Sequence, residues 1–272
     1  MPSPRQISDG LSVNLARECL YRFLAAALSD PNSNGFRIVL GPANQSLARA
    51  AADLLREEAS SDGLVLGFGE LPVDCLDLES LVARLQAPLH QILAEYDRVF
   101  GLLVPRECPP YETEYHSTAE PFSRAQQLAD IAGFYRAFGL DLSAAVPERP
   151  DHIALELEFM AFLIMKARMA PGVGQPNAAA DQEQVCEEAQ QGFFREHLAW
   201  WVPSFTAGLR RKAAGGVYAA VGELLAALLP LERDRFGIVA PRMPLEPALI
   251  ERPEEQSGCN VCPATLGGGG IT

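Results

Sequence analysis

Glu148-Arg149-Pro150-Asp151-His152-Ile153-Ala154-Leu155-Glu156-Leu157-Glu158-Phe159-Met160 is the stretch on which the fold turns. Proline is favoured just inside a helix start, and an acid in the first turn complements the partial positive charge there, so Pro150 and Asp151 read as a helix opening. Ile153, Leu157, Met160, Ile164 and Ala167 then recur at helical spacing. The run stops before Pro171-Gly172-Val173-Gly174-Gln175-Pro176, a loop by composition.

The same periodicity extends in both directions. Leu11, Leu15, Cys19, Leu20, Phe23, Leu24 and Leu28 form one stripe, ended by Ser29-Asp30-Pro31-Asn32. Leu47, Ala51, Leu54 and Leu55 mark a second helix, and Leu78, Leu81, Val82 and Leu85 a shorter one near Pro88. Leu89, Ile92, Leu93, Tyr96, Val99, Phe100 and Leu103 form a wide stripe closed by Pro105. Leu128, Ile131, Ala132, Tyr135 and Phe138 follow, with Gly139 placed as a C-terminal cap. Phe194, Leu198, Trp201, Phe205 and Leu209 keep one face across Pro203, which predicts a kinked helix or two end to end. Val221, Leu224, Leu225 and Leu228 make the last helix, ended by Pro230.

Strand signals are nearly absent, since Leu64-Val65-Leu66 and Ile238-Val239 are too short to build a sheet. The expected fold is all-α: one globular domain over residues 1–236, with about eight to ten helices. Residues 237–272, rich in Pro and Gly, read as a flexible tail.

The 272 residues are 48% hydrophobic, too many for a disordered chain. No stretch approaches the roughly 18 unbroken apolar residues of a membrane span, and Met1-Pro2-Ser3-Pro4-Arg5-Gln6 has no apolar segment of a secretory signal. A cytoplasmic protein, monomer or homodimer, without stable membrane insertion is expected. The net charge of −13 argues against nucleic acid as a partner. Between Glu95 and Glu158 there are 12 Asp/Glu against 5 Arg and no Lys, so that quarter of the chain carries over half the net charge. Such a field attracts a positively charged partner.

Pro109-Pro110-Tyr111-Glu112-Thr113-Glu114-Tyr115 is the second informative segment. Two prolines force an extended approach, after which Tyr111 and Tyr115 alternate with Glu112 and Glu114. Rings and carboxylates together suit an arginine side chain, which stacks on one and forks to the other. His116 lies four residues after Glu112, and His152 four before Glu156, so two carboxylate–imidazole pairs are expected. Glu156 would favour the protonated form of His152, and the helix N-terminus would oppose it. Asp151→Asn is expected to weaken binding of a cationic peptide without unfolding the protein.

Neither segment contains a nucleophile–base pair, a phosphate loop or a complete metal-ligand set. A helical di-iron site wants Glu-x-x-His, which does not occur, and His90, His116, His152 and His197 are widely spaced. Cys259 and Cys262 form a lone CxxC, half of a zinc or cluster site and a weak metal candidate. Phe193, Phe194, Trp200 and Trp201 read as core.

Four stretches together resemble the TorD/DmsD/NarJ family of cytoplasmic chaperones for molybdoenzymes. They are Glu95-Tyr96-Asp97-Arg98-Val99-Phe100-Gly101, the Pro109–Tyr115 segment, Phe134-Tyr135-Arg136-Ala137-Phe138-Gly139-Leu140, and Glu148–His152 with its Glu156–Met160 extension. The resemblance implies an all-helical, non-catalytic protein without a cofactor, its two helical halves joined by a proline-containing hinge near 146–150. Its partners would be the twin-arginine signal peptide and the immature catalytic subunit of a molybdopterin-containing oxidoreductase. Export or assembly would wait until the cofactor is inserted. It further implies a peptide site comprising Tyr96, Val99, Phe100, Tyr111, Glu112, Glu114, Tyr115, Asp151, His152 and Glu156. The alternatives are a helical metalloenzyme using Glu112, His116, His152 and Glu156, and an accessory subunit of an oxidoreductase complex with the CxxC beside a cluster.

Overall fold

The computed structural model describes residues 4–59, 64–101, 107–116, 121–143, 148–170 and 176–247. Its order is α1 (Pro4–Ala27), α2 (Arg37–Leu40), α3 (Pro42–Glu58), α4 (Glu79–Arg84), α5 (Leu89–Val99), α6 (Pro121–Ala137), α7 (Ile153–Met169), α8 (Pro176–Phe193), α9 (Val202–Lys212) and α10 (Val217–Arg235). Single 3-10 turns lie at Val73–Cys75 and Glu112–Tyr115, and a π-helical turn at Phe194–Leu198. Among the described residues no strand forms, only one isolated bridge, so the all-α expectation holds.

α7 is the central helix. Ile153, Leu157, Met160, Ile164 and Ala167, the stripe read from sequence, are all buried, and so are Ala154, Phe159, Ala161 and Leu163 around the rest of its girth. A helix apolar nearly all round has to be enclosed; α1 lies along one side of it and α8 along another. α1 also packs on α3, and α9 packs on α10, which in turn meets α4, α5 and the first 3-10 turn. The buried Arg17–Glu232 ion pair (2.6 Å), joined by the Tyr21 hydroxyl (3.0 Å), clamps α1 to α10.

Four readings are corrected. Pro150 is not inside α7: His152 is its N-cap, and the helix begins at Ile153. The stripe through Leu89 ends at Val99, because Gly101 takes φ +67 and turns the chain out; Leu103 and Pro105 lie outside the described residues. Pro230 does not end α10, which continues to Arg235. A proline there orphans the carbonyl four residues back. That carbonyl, of Ala226, accepts instead from the Leu71 N–H at 3.0 Å, so the helix passes through. Finally, α8 forms where the apolar pattern marks no helix. Its apolar residues are sparse, and it anchors through Cys186, Gln190 and Phe193.

Other expectations hold. Gly139 follows α6 with φ +76, and the face from Phe194 to Leu209 is carried by two helical pieces end to end, Pro203 sitting in the first turn of α9 where its missing N–H costs no bond. Phe193, Phe194 and Trp201 are core. Val146 and Pro147 of the expected hinge, and Cys259 and Cys262, lie outside the described residues.

Candidate functional site

The two motif segments, 38 residues apart by the Thr113–Asp151 contact, are joined directly. The Glu112 N–H donates to the Asp151 carbonyl (3.0 Å) and the Ile153 N–H to the Pro110 carbonyl (2.9 Å), forming an antiparallel bridge between Tyr111 and His152. Each strand of the bridge is extended for a local reason. Tyr111 follows two prolines, and His152 is the non-helical cap of α7, its Nδ1 accepting from the Ala154 N–H at 3.2 Å. The Tyr135 hydroxyl of α6 donates to the Pro150 carbonyl (2.8 Å) and fixes the approach.

Within this joint, the arginine expected from a partner is the chain's own. Arg149 donates from Nε to Asp151 Oδ1 (2.9 Å) and from Nη2 to Asp151 Oδ2 (2.7 Å). It also reaches Thr113 Oγ1 (2.7 Å) and Glu114 Oε1 (3.1 Å), and its guanidinium lies 4.1 Å from the Tyr111 ring centre. Arg124 takes the other oxygen of Glu114 (3.0 Å). Asp151 is 0% and Glu114 3% exposed. Burial works against the Arg149 charge, and the paired carboxylates more than offset it.

Beneath lies a deeper acid group. Glu112, 2% exposed, receives His197 Nδ1 at 3.0 Å and has His116 Nε2 at 3.8 Å. Glu156, fully buried, has no hydrogen-bond partner on either oxygen among the described residues. Burial, then the Glu112 and Asp151 carboxylates, push its carboxyl well above the usual range. Burial also lowers His152, against the pull of Glu148 and Asp151. The expected His152–Glu156 ion pair is therefore replaced by two groups that burial drives toward neutrality, with the imidazole serving as a cap. His197, contributed by the π-helical turn, was missed; it stands 85 residues from Glu112, and only tertiary packing joins them.

A third cluster flanks the joint. The Tyr96 and Phe100 rings pack at 5.0 Å, tilted by 53°, and Tyr218 at the start of α10 meets them at 5.7 and 5.3 Å. Tyr111 meets His152 at 5.2 Å, and Tyr115 meets Trp201 at 5.1 Å. Of the ten residues expected to touch a peptide, only Tyr96 and Tyr111 are half-exposed. Val99, Phe100, Glu112, Glu114, Tyr115, Asp151, His152 and Glu156 are buried and build the floor beneath them. Among the described residues no group of three or more His, Cys, Asp and Glu is arranged to hold a metal ion, and no helix is long and apolar enough to cross a membrane.

Residues 71–207, just over half of the chain, match the family described as nitrate reductase delta subunit. The chain belongs to the nitrate reductase delta subunit family. The family match spans all ten candidate residues and His197, and it agrees with the resemblance read from the four motifs. Among relatives of the delta-family chain, the selenate reductase assembly chaperone protein of Thauera selenatis is 34% identical over 116 residues, which is 43% of this chain and 56% of that protein. Chaperone protein TorD of Aeromonas salmonicida is 32% identical over 133 residues, 48% of this chain and 55% of that protein. The chlorate reductase assembly chaperone protein of Ideonella dechloratans is 34% identical over 110 residues, 40% and 53% of the two. The chain spans about half the length of the curated relatives it matches.

Proposed function

We propose that this delta-family protein is a maturation chaperone for a molybdopterin-containing oxidoreductase. It binds the twin-arginine signal peptide or the immature catalytic subunit of its client and delays export or assembly until the cofactor is in place, without catalysing a reaction. The observation that carries the reading is that the family match covers the whole Pro109–Tyr115/Glu148–His152 joint, while the matched relatives are named reductase assembly chaperones. The geometry supports recognition over chemistry. The Thr113 hydroxyl is held at 2.8 Å from Asp151 and 2.7 Å from Arg149, a structural tie. The half-buried rings of Tyr96 and Tyr111 stand over buried residues inside an acidic stretch, which suits a basic peptide.

Co-expression with the catalytic subunit of a molybdoenzyme encoded nearby tests this. The chaperone reading expects the chain bound to the cofactor-free subunit and absent from the finished enzyme. The family description favours one second reading, a permanent subunit of the complex. Stoichiometric retention in the finished enzyme would establish that reading and overturn ours.

A further inference from the structure

We infer that the cleft between residues 65–68 and 239–242 is a second client-binding site, which takes a short apolar segment carrying a carboxylate. The inference rests on the chaperone reading and names a surface, and a ligand chemistry, beyond the motif joint.

Arg233, near the end of α10, builds the cleft. Its Nε and Nη2 fork onto Glu70 at 2.8 and 3.0 Å. Nη2 also donates to the Val65 carbonyl, and Nη1 to the Ile238 carbonyl at 3.1 Å, so one buried guanidinium holds both walls. The Phe68 N–H donates to the Pro241 carbonyl at 2.7 Å and joins the walls directly. Gly67 approaches so closely that a Cβ there would lie 2.6 Å from Pro241 Cδ, a contact only glycine allows. Further on, the Leu245 N–H donates to Ser204 Oγ of α9 at 2.8 Å and ties down the second wall. Between these fixed walls lies a cleft of about 540 Å³, which is the size of a binding pocket.

Its surface is unlike the rest of the molecule. Val65, Leu66 and Val239 line it, Met243 lies one residue past Arg242, and all four are exposed, Val65 by 72% and Val239 by 80%. They are four of the twelve large apolar side chains exposed among the described residues, a patch and not a scatter. The lining contains no acid, in a chain of net charge −13. Glu70 balances Arg233. Arg242 is left exposed, with no hydrogen bond or ion pair among the described residues.

These features select the occupant. The walls suit apolar side chains, and Arg242 attracts a carboxylate while repelling the basic peptide that suits the acidic joint. A second folded copy is not matched, since four side chains supply less than the roughly 800 Å² a side of a stable protein–protein interface. A segment of the client's catalytic subunit fits. The helix rise puts Arg233 about 22 Å along α10 from Tyr218 and the aromatic cluster beside the joint. About seven extended residues cross that gap, so one client can fill both places, each raising its effective concentration at the other. Both walls lie outside residues 71–207, the family-matched part, whereas the joint lies inside it.

The test uses the full chain co-expressed with the cofactor-free catalytic subunit of a molybdoenzyme encoded nearby, once whole and once with its twin-arginine peptide deleted. With p-benzoylphenylalanine in place of Val239, irradiation is expected to join the chain to an apolar, acid-bearing segment of the subunit outside that peptide. Val65→Ser with Val239→Ser is expected to weaken binding of the deleted subunit roughly tenfold at unchanged Tm, both side chains being exposed. Arg242→Glu is expected to weaken it roughly threefold or more, by a factor that shrinks as salt is raised, which a merely structural residue would not show. Cross-links confined to the chain's own residues 248–272, to a second copy or to the signal peptide overturn the cleft. So does wild-type affinity when all three changes are combined, or binding of the whole subunit but not the deleted one. Each of those results leaves the chaperone reading standing. A wild-type chain that binds neither form of the subunit overturns that reading, and the cleft with it.

Discussion

Glu156 lies inside α7 and Asp151 just before it, and their surroundings give them opposite work. Asp151 has a guanidinium fork, the Thr113 N–H at 3.1 Å and the Thr113 hydroxyl at 2.8 Å, so its charge is matched. Asp151→Asn takes the forked carboxylate from Arg149 and leaves it only Glu114, and is expected to destabilise the protein by about 2–3 kcal/mol in urea unfolding. A loss of that size weakens the fold without unfolding a domain of ordinary stability, about 5–15 kcal/mol. Glu156 has no partner, and its pKa is raised in the folded state. Its contribution to stability is therefore complete below the ordinary carboxylate value of 4.5 and is lost as pH rises toward the folded value. His152 runs the other way, its contribution present above 6.5 and lost as pH falls through its lowered folded value. Glu156→Gln removes the first slope and keeps the second. The wild type should lose stability relative to the variant between pH 5 and 8, by at most about 1.4 kcal/mol per pH unit for one proton. Parallel unfolding curves across that range would show that burial and the Glu112 and Asp151 carboxylates do not hold a proton on Glu156.

At the scale of elements, the central object is the short antiparallel joint between the 3-10 turn at Glu112–Tyr115 and the start of α7. It holds through two backbone hydrogen bonds and the side chains of Thr113, Asp151 and Arg149. Thr113→Val keeps the shape and deletes a donor to Asp151 and an acceptor for Arg149. The expected cost is about 1–3 kcal/mol, with the peptide site loosened as well, visible as faster amide exchange at Glu112 and Ile153. Local order was legible in sequence. The α7 stripe, the Gly139 cap and the break before Pro203 each follow from spacing and backbone chemistry within a few residues. What was not legible depends on distant partners. Pro230 reads as a stop until Leu71 is known to cover the Ala226 carbonyl, and α8 presents too few apolar residues to declare itself. The candidate site divides in the same way. Its acids and rings are local motifs, but that Arg149 already occupies them, and that His197 and Tyr218 complete the neighbouring clusters, follows only from packing across the chain.

For the whole molecule, the question is what ties the first helix to the last, 215 residues apart at the Arg17–Glu232 pair. Both partners are buried, 2% and 1% exposed, and the pair draws in Tyr21 from α1 and Gln190 from α8 (3.2 Å). Desolvation of two ions is costly, and their attraction repays it only while both are present. The pair is thus a test of specificity against stability. Glu232→Gln leaves Arg17 buried with a neutral partner and should cost about 3–5 kcal/mol. Replacing both, as Arg17→Met with Glu232→Leu, removes charge and countercharge together and should come within about 1 kcal/mol of the wild type, or exceed it. A double-mutant cycle read by urea unfolding measures the coupling directly. Strong coupling would mean that the ion pair locates α1 on α10, and through α1 it sets the side of α7 that carries Glu156 and the motif joint. In that case peptide binding should fall in the Gln variant more than its lost stability explains, and recover in the double variant. Additive effects of the two single changes would instead make the pair an incidental contact, with α1 located by its apolar face on α7 alone.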